Sequence, residues 1–178
     1  MNQEHDLLAP GIPRPGGVWA VISSDAGAFT LALYGIVGPS AELYVVDKSE
    51  RALGKQRREL ARRAPTAHIH YVRADFTQPW ELPPLDGIVL ANMLHGVKLE
   101  RQQEVLRHMH DALKPEEGRF ILVDHEASKG SWRVPYPINY ESFEYLAGVA
   151  GFADVRRLAL LPVSLTREIY SALCMRAG

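Results

Sequence analysis

A single cysteine, Cys174, in 178 residues leaves no partner for an internal disulfide. That excludes the small disulfide-stapled folds and makes a reducing cytoplasm the expected compartment. Long apolar runs are missing too, since none approaches the ~20 residues that a membrane-spanning helix needs. Charge of one sign is also lacking: 20 Lys and Arg stand against 21 Asp and Glu, for a formal net charge of -1. Neither an electrostatic grip on nucleic acid nor binding to an anionic membrane is expected from that balance. The opening residues Met1-Asn2-Gln3-Glu4-His5-Asp6 are acidic where a secretory signal would be basic. Fixed-period repeats and low-complexity tracts are absent as well.

What is present is an ordinary globular composition, 47% hydrophobic and 23% charged, of a size that suits one domain with a real core. Residues 1–17 are rich in Pro and Gly and read as an arm or loop before a single domain over residues 18–178. From Val18 onward two kinds of segment alternate. Val18–Ile22, Leu43–Val46, His68–Val72, Gly87–Leu90 and Phe120–Val123 are short β-rich runs. Several are apolar at consecutive positions, the pattern of strands covered on both faces of a parallel sheet. Between them, Phe29, Leu33, Ile36 and Val37 form a helical stripe stopped by Gly38-Pro39, and Ser49 caps a second helix. A third carries Val105, Leu106, Met109, Ala112 and Leu113, and Asn139 caps a fourth that ends at Gly151.

This alternation predicts βαβ crossovers. The tail differs, because Val155–Leu161 and Arg167–Met175 are β-rich with only a short loop around Pro162 between them. The expected architecture is therefore α/β, a Rossmann-like doubly wound seven-stranded sheet, mostly parallel with an antiparallel C-terminal strand.

Ligands of such sheets sit beyond the carboxyl ends of the strands. The loop Ser23-Ser24-Asp25-Ala26-Gly27 follows the first strand. Asp47 ends the second, placed to bind the hydroxyls of a ribose, or to cap the next helix. Asp75-Phe76 follows the third and offers an acid and an aromatic face to an adenine, or a simple turn. The fourth strand exits through Asn92-Met93-Leu94-His95 and the fifth through Asp124-His125-Glu126.

These segments resemble the motifs of class I S-adenosylmethionine (SAM)-dependent methyltransferases. Val18 through Leu33 resembles their motif I, Val45-Val46-Asp47 their acidic motif II, and Ala74-Asp75-Phe76 their adenine-binding segment. Leu85-Asp86-Gly87 with Ala91–His95 resembles the fourth strand and its exit, and Leu113-Lys114-Pro115 through Phe120 the turn before strand five. Trp132–Pro137 and Ala150-Gly151-Phe152 are similar to a short bacterial subgroup. The resemblance implies SAM as cofactor, methyl transfer to a small-molecule acceptor, and SAM contacts from Ser23, Asp25, Gly27, Asp47, Asp75, Phe76 and Asn92. For an acceptor that must lose a proton, His95 is the candidate base, since a free imidazole titrates near neutrality, and His125 and Tyr136 are candidates for lining the acceptor pocket. The family's acid-x-Gly-x-Gly-x-Gly is altered here: Val21, Ser23 and Asp25 replace its first three fixed positions and Gly27 alone remains. Asp25 brings a negative charge toward the cofactor's carboxylate, or an anion for its ammonium group, at a stake on the order of 1 kcal/mol.

The competing expectation is a methyltransferase-like protein that has lost SAM binding and serves another ligand, another reaction or a partner subunit. A NAD-dependent enzyme fits less well, because the loop lacks G-x-G-x-x-G. The basic stretch Lys55, Arg57, Arg58, Arg62, Arg63 reads as a solvated helix face, and the histidines as surface groups; no metal site is expected, His95, Asp124, His125 and Glu126 being the remaining cluster to consider. With no inserted substrate domain the site should be open unless the N-terminal arm, the Gly130–Pro137 loop or a second subunit, as in a homodimer, covers it.

Overall fold

The computed structural model describes residues 2–178. Seven strands lie in one sheet: β1 (Val18–Ser23), β2 (Glu42–Asp47), β3 (His68–Arg73), β4 (Gly87–Ala91), β5 (Arg119–His125), β6 (Phe152–Ser164) and β7 (Arg167–Arg176). Their order is β3-β2-β1-β4-β5-β7-β6. β1 to β5 pair in parallel, whereas β7 runs antiparallel to both β5 and β6. Among the described residues α1 (Gln3–Leu8) precedes β1, and the strands are connected by α2 (Ala28–Val37), α3 (Glu50–Arg63), α4 (Leu99–Ala112) and α5 (Tyr140–Ala150).

The consecutive apolar residues of the central strands have the cause expected of them. Ala20, Ile22, Ile88, Leu90, Phe120 and Leu122 pack under α4 and α5. Their neighbours Trp19, Val21, Val89, Ala91, Ile121 and Val123 pack under α1 and α2 on the opposite face. Alternate side chains of a strand point to opposite faces, so a sheet sandwiched between helices needs apolar residues at every position.

Local chemistry sets the helix ends. Ser49 accepts from the Ala52 amide and Asn139 from the Ser142 amide, as their sequence positions predict. β1 and β4 are tied at their starts by Asp86, whose carboxylate accepts from the Val18 amide at 2.7 Å and from Lys114 Nζ at 2.8 Å. Gly87 follows because any Cβ there would sit 2.1 Å from the Trp19 ring.

Two expectations change. Residues 3–11 are not a loop: α1 and a short 3-10 turn over Ala9–Gly11 fold onto the sheet, burying Leu7 and Leu8. Asn2 caps α1 by accepting from Glu4, and burying the two leucines outweighs the local Pro and Gly content. In the tail, Pro162 lies inside β6, and the chain reverses at residues 165–166. The ladder is irregular between Pro162 and Ser164, which lets a proline occupy an edge strand.

Candidate active site

Strand order reverses between β1 and β4, so the crevice beyond their carboxyl ends is the expected ligand position. Two clefts open there, each of about 510 Å³. That volume is within the range of small-molecule sites.

Asp47, Asp75, Phe76, Asn92, Met93, His95 and Arg101 contribute to the lining of the first cleft. The carboxylate of Asp47 uses Oδ1 to accept from the Ser49 amide at 2.8 Å. Asp75 uses Oδ1 to accept from the Thr77 amide at 2.9 Å and its hydroxyl at 2.8 Å. Each acid thus holds its own turn, and neither Oδ2 has a protein partner among the described residues. Partial desolvation pushes the Asp75 pKa up, but the two Thr77 hydrogen bonds and the nearby Lys48 and Arg101 charges outweigh it, leaving the pKa lowered.

The second cleft is lined by Gln3, Glu4 and Leu7 of α1, by Ser24 and Phe29, by Asn92, His95 and His125, and by Arg133, Val163 and Ile169. Asn92 and His95 form the wall common to both clefts. Asn92 holds a left-handed backbone (φ 55°), and its side-chain Oδ1 is buried without a partner. Strain and an orphaned acceptor in one residue are features that cluster at ligand sites.

His95 sits in the 3-10 turn Leu94–Gly96, anchored by the fully buried Leu94. Its Nδ1 lies 2.7 Å from Asp124 Oδ1, and its amide donates to Asp124 Oδ2 at 3.2 Å. Asp124 has no solvent exposure and also accepts from the His125 amide at 2.7 Å. A carboxylate only accepts, so the proton of neutral His95 resides on Nδ1 and Nε2 keeps its lone pair. His125 meets His95 edge to face, with ring centroids 5.2 Å apart. Desolvation lowers the His125 pKa; Asp124 opposes the shift, while His95 and Arg167 add to it. Gln102, 1% exposed on α4, donates to the carbonyls of Val97 at 3.1 Å and Tyr136 at 3.0 Å. It locks the turn that carries His95.

The structure therefore brings Asp47, Asp75, Phe76, Asn92 and His95 together around one cleft, and His95, Asn92 and His125 around the other. Ser23, Asp25 and Gly27 line neither. Ser23 is 3% exposed at the end of β1 and Gly27 is the left-handed N-cap of α2 (φ 111°), whereas Asp25 turns inward and accepts from the Gly27 and Ala28 amides, both at 2.5 Å. Tyr136, expected in the acceptor pocket, lines neither cleft. Its backbone is pinned instead, the amide donating to the His95 carbonyl at 3.0 Å and the carbonyl accepting from Gln102. Asp124 and Gln102 are the residues whose part sequence reading missed. Their signal is a polar side chain inside an otherwise apolar strand and an otherwise apolar helix stripe.

A family model described as a methyltransferase domain matches residues 23–116, just over half of the chain. A search of curated proteins by sequence finds no match. Among solved structures, the chain is similar to the N-methyltransferase NodS from Bradyrhizobium japonicum WM9 in complex with S-adenosyl-L-homocysteine (SAH). The TM-score is 0.78 at 19% identity, over 99% of this chain and 86% of that one. It is also similar to a Haemonchus contortus phosphoethanolamine N-methyltransferase 2 (TM-score 0.79, 14% identity, 99% of this chain and 53% of that one). A third similar structure is a possible exported protein from Bordetella parapertussis (TM-score 0.76, 18% identity), where the match covers 98% of this chain and 66% of that one. The chain thus spans less than two thirds of the length of two of these three.

Proposed function

The chain belongs to the methyltransferase-domain family, and from that premise we propose that it methylates a small-molecule acceptor with SAM as donor, His95 taking up the acceptor's proton. The observation that carries this reading is the wall that Asn92 and His95 share between two clefts of ligand size. A donor on one side and an acceptor on the other would meet there, and alignment of two substrates supplies much of the rate in such a transfer.

The residues of the first cleft fit the adenosine half of SAM. Asp47 has a free carboxylate oxygen for the ribose hydroxyls, and Asp75 has one for an adenine amino group. Phe76 offers a face for stacking. When bound, SAM supplies an electrophilic methyl group carried on a sulfonium. The protein's remaining task is to deprotonate and orient the acceptor. His95 is suited to that task, because buried Asp124 fixes its tautomer and leaves Nε2 as the basic nitrogen. His125 and the residues of α1 would form the acceptor's surroundings.

Incubation of the purified protein with SAM and a pool of small amines, alcohols and acids tests the reading. Release of SAH above background, lost in His95→Ala, is expected. No SAH release with any acceptor from a broad pool would contradict it. A second reading, a fold retained for a different ligand, draws on Asp25, whose carboxylate already occupies the amides that open α2.

A further inference from the structure

The second cleft has one Arg or Lys among its lining residues, Arg133, and one carboxylate, Glu4. Arg133 lies on the loop between β5 and α5 and Glu4 on α1. Among the described residues neither is part of an ion pair. The buried carboxylate of Asp124 is already committed, to His95 and to the His125 amide. The cation at this cleft therefore lacks a partner of its own. It is nevertheless held in place. The Ser131 amide donates to the Val134 carbonyl at 2.9 Å and the Val134 amide to Ser131 Oγ at 3.2 Å, which closes the turn that carries Arg133. Gly130 packs so close to the Pro135 carbonyl oxygen that an added Cβ would sit 2.7 Å from it. Val134 is buried, and the Tyr136 amide ties the same loop to the His95 carbonyl at 3.0 Å. The Arg133 guanidinium rests 4.6 Å from the ring centroid of Trp132, itself 84% exposed. Such a cation–π contact uses the face of the guanidinium and leaves its N–H edge for a ligand.

We propose that Arg133 is a specificity-determining residue that makes the second cleft select acceptors carrying a carboxylate or phosphate group. The proposal rests on the reading of that cleft as the acceptor site. The planar donor fork of Arg matches the paired oxygens of either anion. The tie between its loop and the His95 turn sets two anchor points on one wall system, Arg133 for the anion and His95 for the proton that the reacting atom gives up. An acceptor that reaches both is aligned before transfer. Glu4 repels one that enters with its anionic group toward α1.

The test is SAH release by the full chain from a pool of amines and alcohols sorted by whether they carry a carboxylate, a phosphate or neither. The pool includes matched pairs, tyramine with tyrosine and ethanolamine with phosphoethanolamine, that differ only in the anionic group. Turnover is expected from anionic members, and which arm responds tells carboxylate from phosphate. For the best of them Arg133→Gln should raise KM about 10- to 100-fold, the scale of one lost charge-assisted hydrogen-bonded contact, with the smaller part of the loss in kcat. Arg133→Lys should restore part of that loss, and Glu4→Gln should shift KM the other way by a smaller factor. Turnover of uncharged acceptors at kcat/KM equal to or above that of the anionic ones overturns the proposal and leaves the acceptor-site reading intact. So does a KM for an anionic acceptor that Arg133→Gln leaves within about twofold. No SAH release from any member of the pool sinks both.

Discussion

Asp124 gives His95 its defined tautomer, and that dependence can be measured. In Asp124→Asn the new amide can donate to Nδ1, which moves the imidazole proton to Nε2 and removes the proposed base. Methyl transfer should fall about 10²- to 10⁴-fold, the usual contribution of general acid–base catalysis. The loss should lie in kcat with KM little changed, and circular dichroism should report an intact fold. Tyr170 offers a structural contrast: its buried hydroxyl donates to the Ile138 carbonyl at 2.8 Å, so Tyr170→Phe should cost about 1–3 kcal/mol of stability by leaving that acceptor unpaired. At this scale the strand-end residues Asp47, Asp75, Asn92 and His95 were legible, because the fold dictates where they stand. The direction of Asp25 was not legible, since the choice between ligand and local backbone depends on a loop conformation that spacing does not encode. Nor was the partnership of Asp124 with His95, which joins two strand ends 29 residues apart in the chain.

Helices α3 and α5 begin where Ser49 and Asn139 predict, since a side chain that satisfies an orphan amide is a purely local device. Asn139→Ala should therefore cost about 1 kcal/mol, read as a lower Tm. Helix α1 was hidden for the opposite reason. Six residues are too few to form a helix by propensity, and Leu7-Leu8 reveals its role only once the sheet exists to receive it. Leu8 has no solvent exposure and packs in the core shared by α2 and the sheet. Leu8→Ala should cost roughly 2–5 kcal/mol, far more than a residue of a loose arm would. A change within about 0.5 kcal/mol in urea denaturation would show that α1 is not docked. The same helix lines the second cleft, so the variant should also weaken acceptor binding.

The seven strands and their antiparallel end follow from period and topology rules that act on the whole chain, which is why the architecture was readable without coordinates. Two shifts set the expected response of the molecule to acid. His125 has its pKa lowered, chiefly by desolvation, so its full contribution to stability is present above the ordinary histidine value of about 6.5. That contribution declines as pH falls through the lowered value. Asp86 is also lowered: desolvation pushes it up, but Lys114 and the Val18 amide outweigh that. Its contribution is present above the ordinary carboxylate range and is lost as pH falls through its own lower value. Tm should then fall in two stages on acidification, and His125→Gln should flatten the first stage alone. Burial pushes the Cys174 thiol well up, so it should resist alkylation in the native protein and react on unfolding.

The measurement nearest to the central claim is a calorimetric titration of the purified protein with SAH. Binding in the micromolar to submillimolar range, weakened tenfold or more by Asp47→Ala, is the predicted result. Absence of binding at millimolar SAH, or equal binding by Asp47→Ala, would contradict an adenosyl ligand held at the ends of β2 and β3.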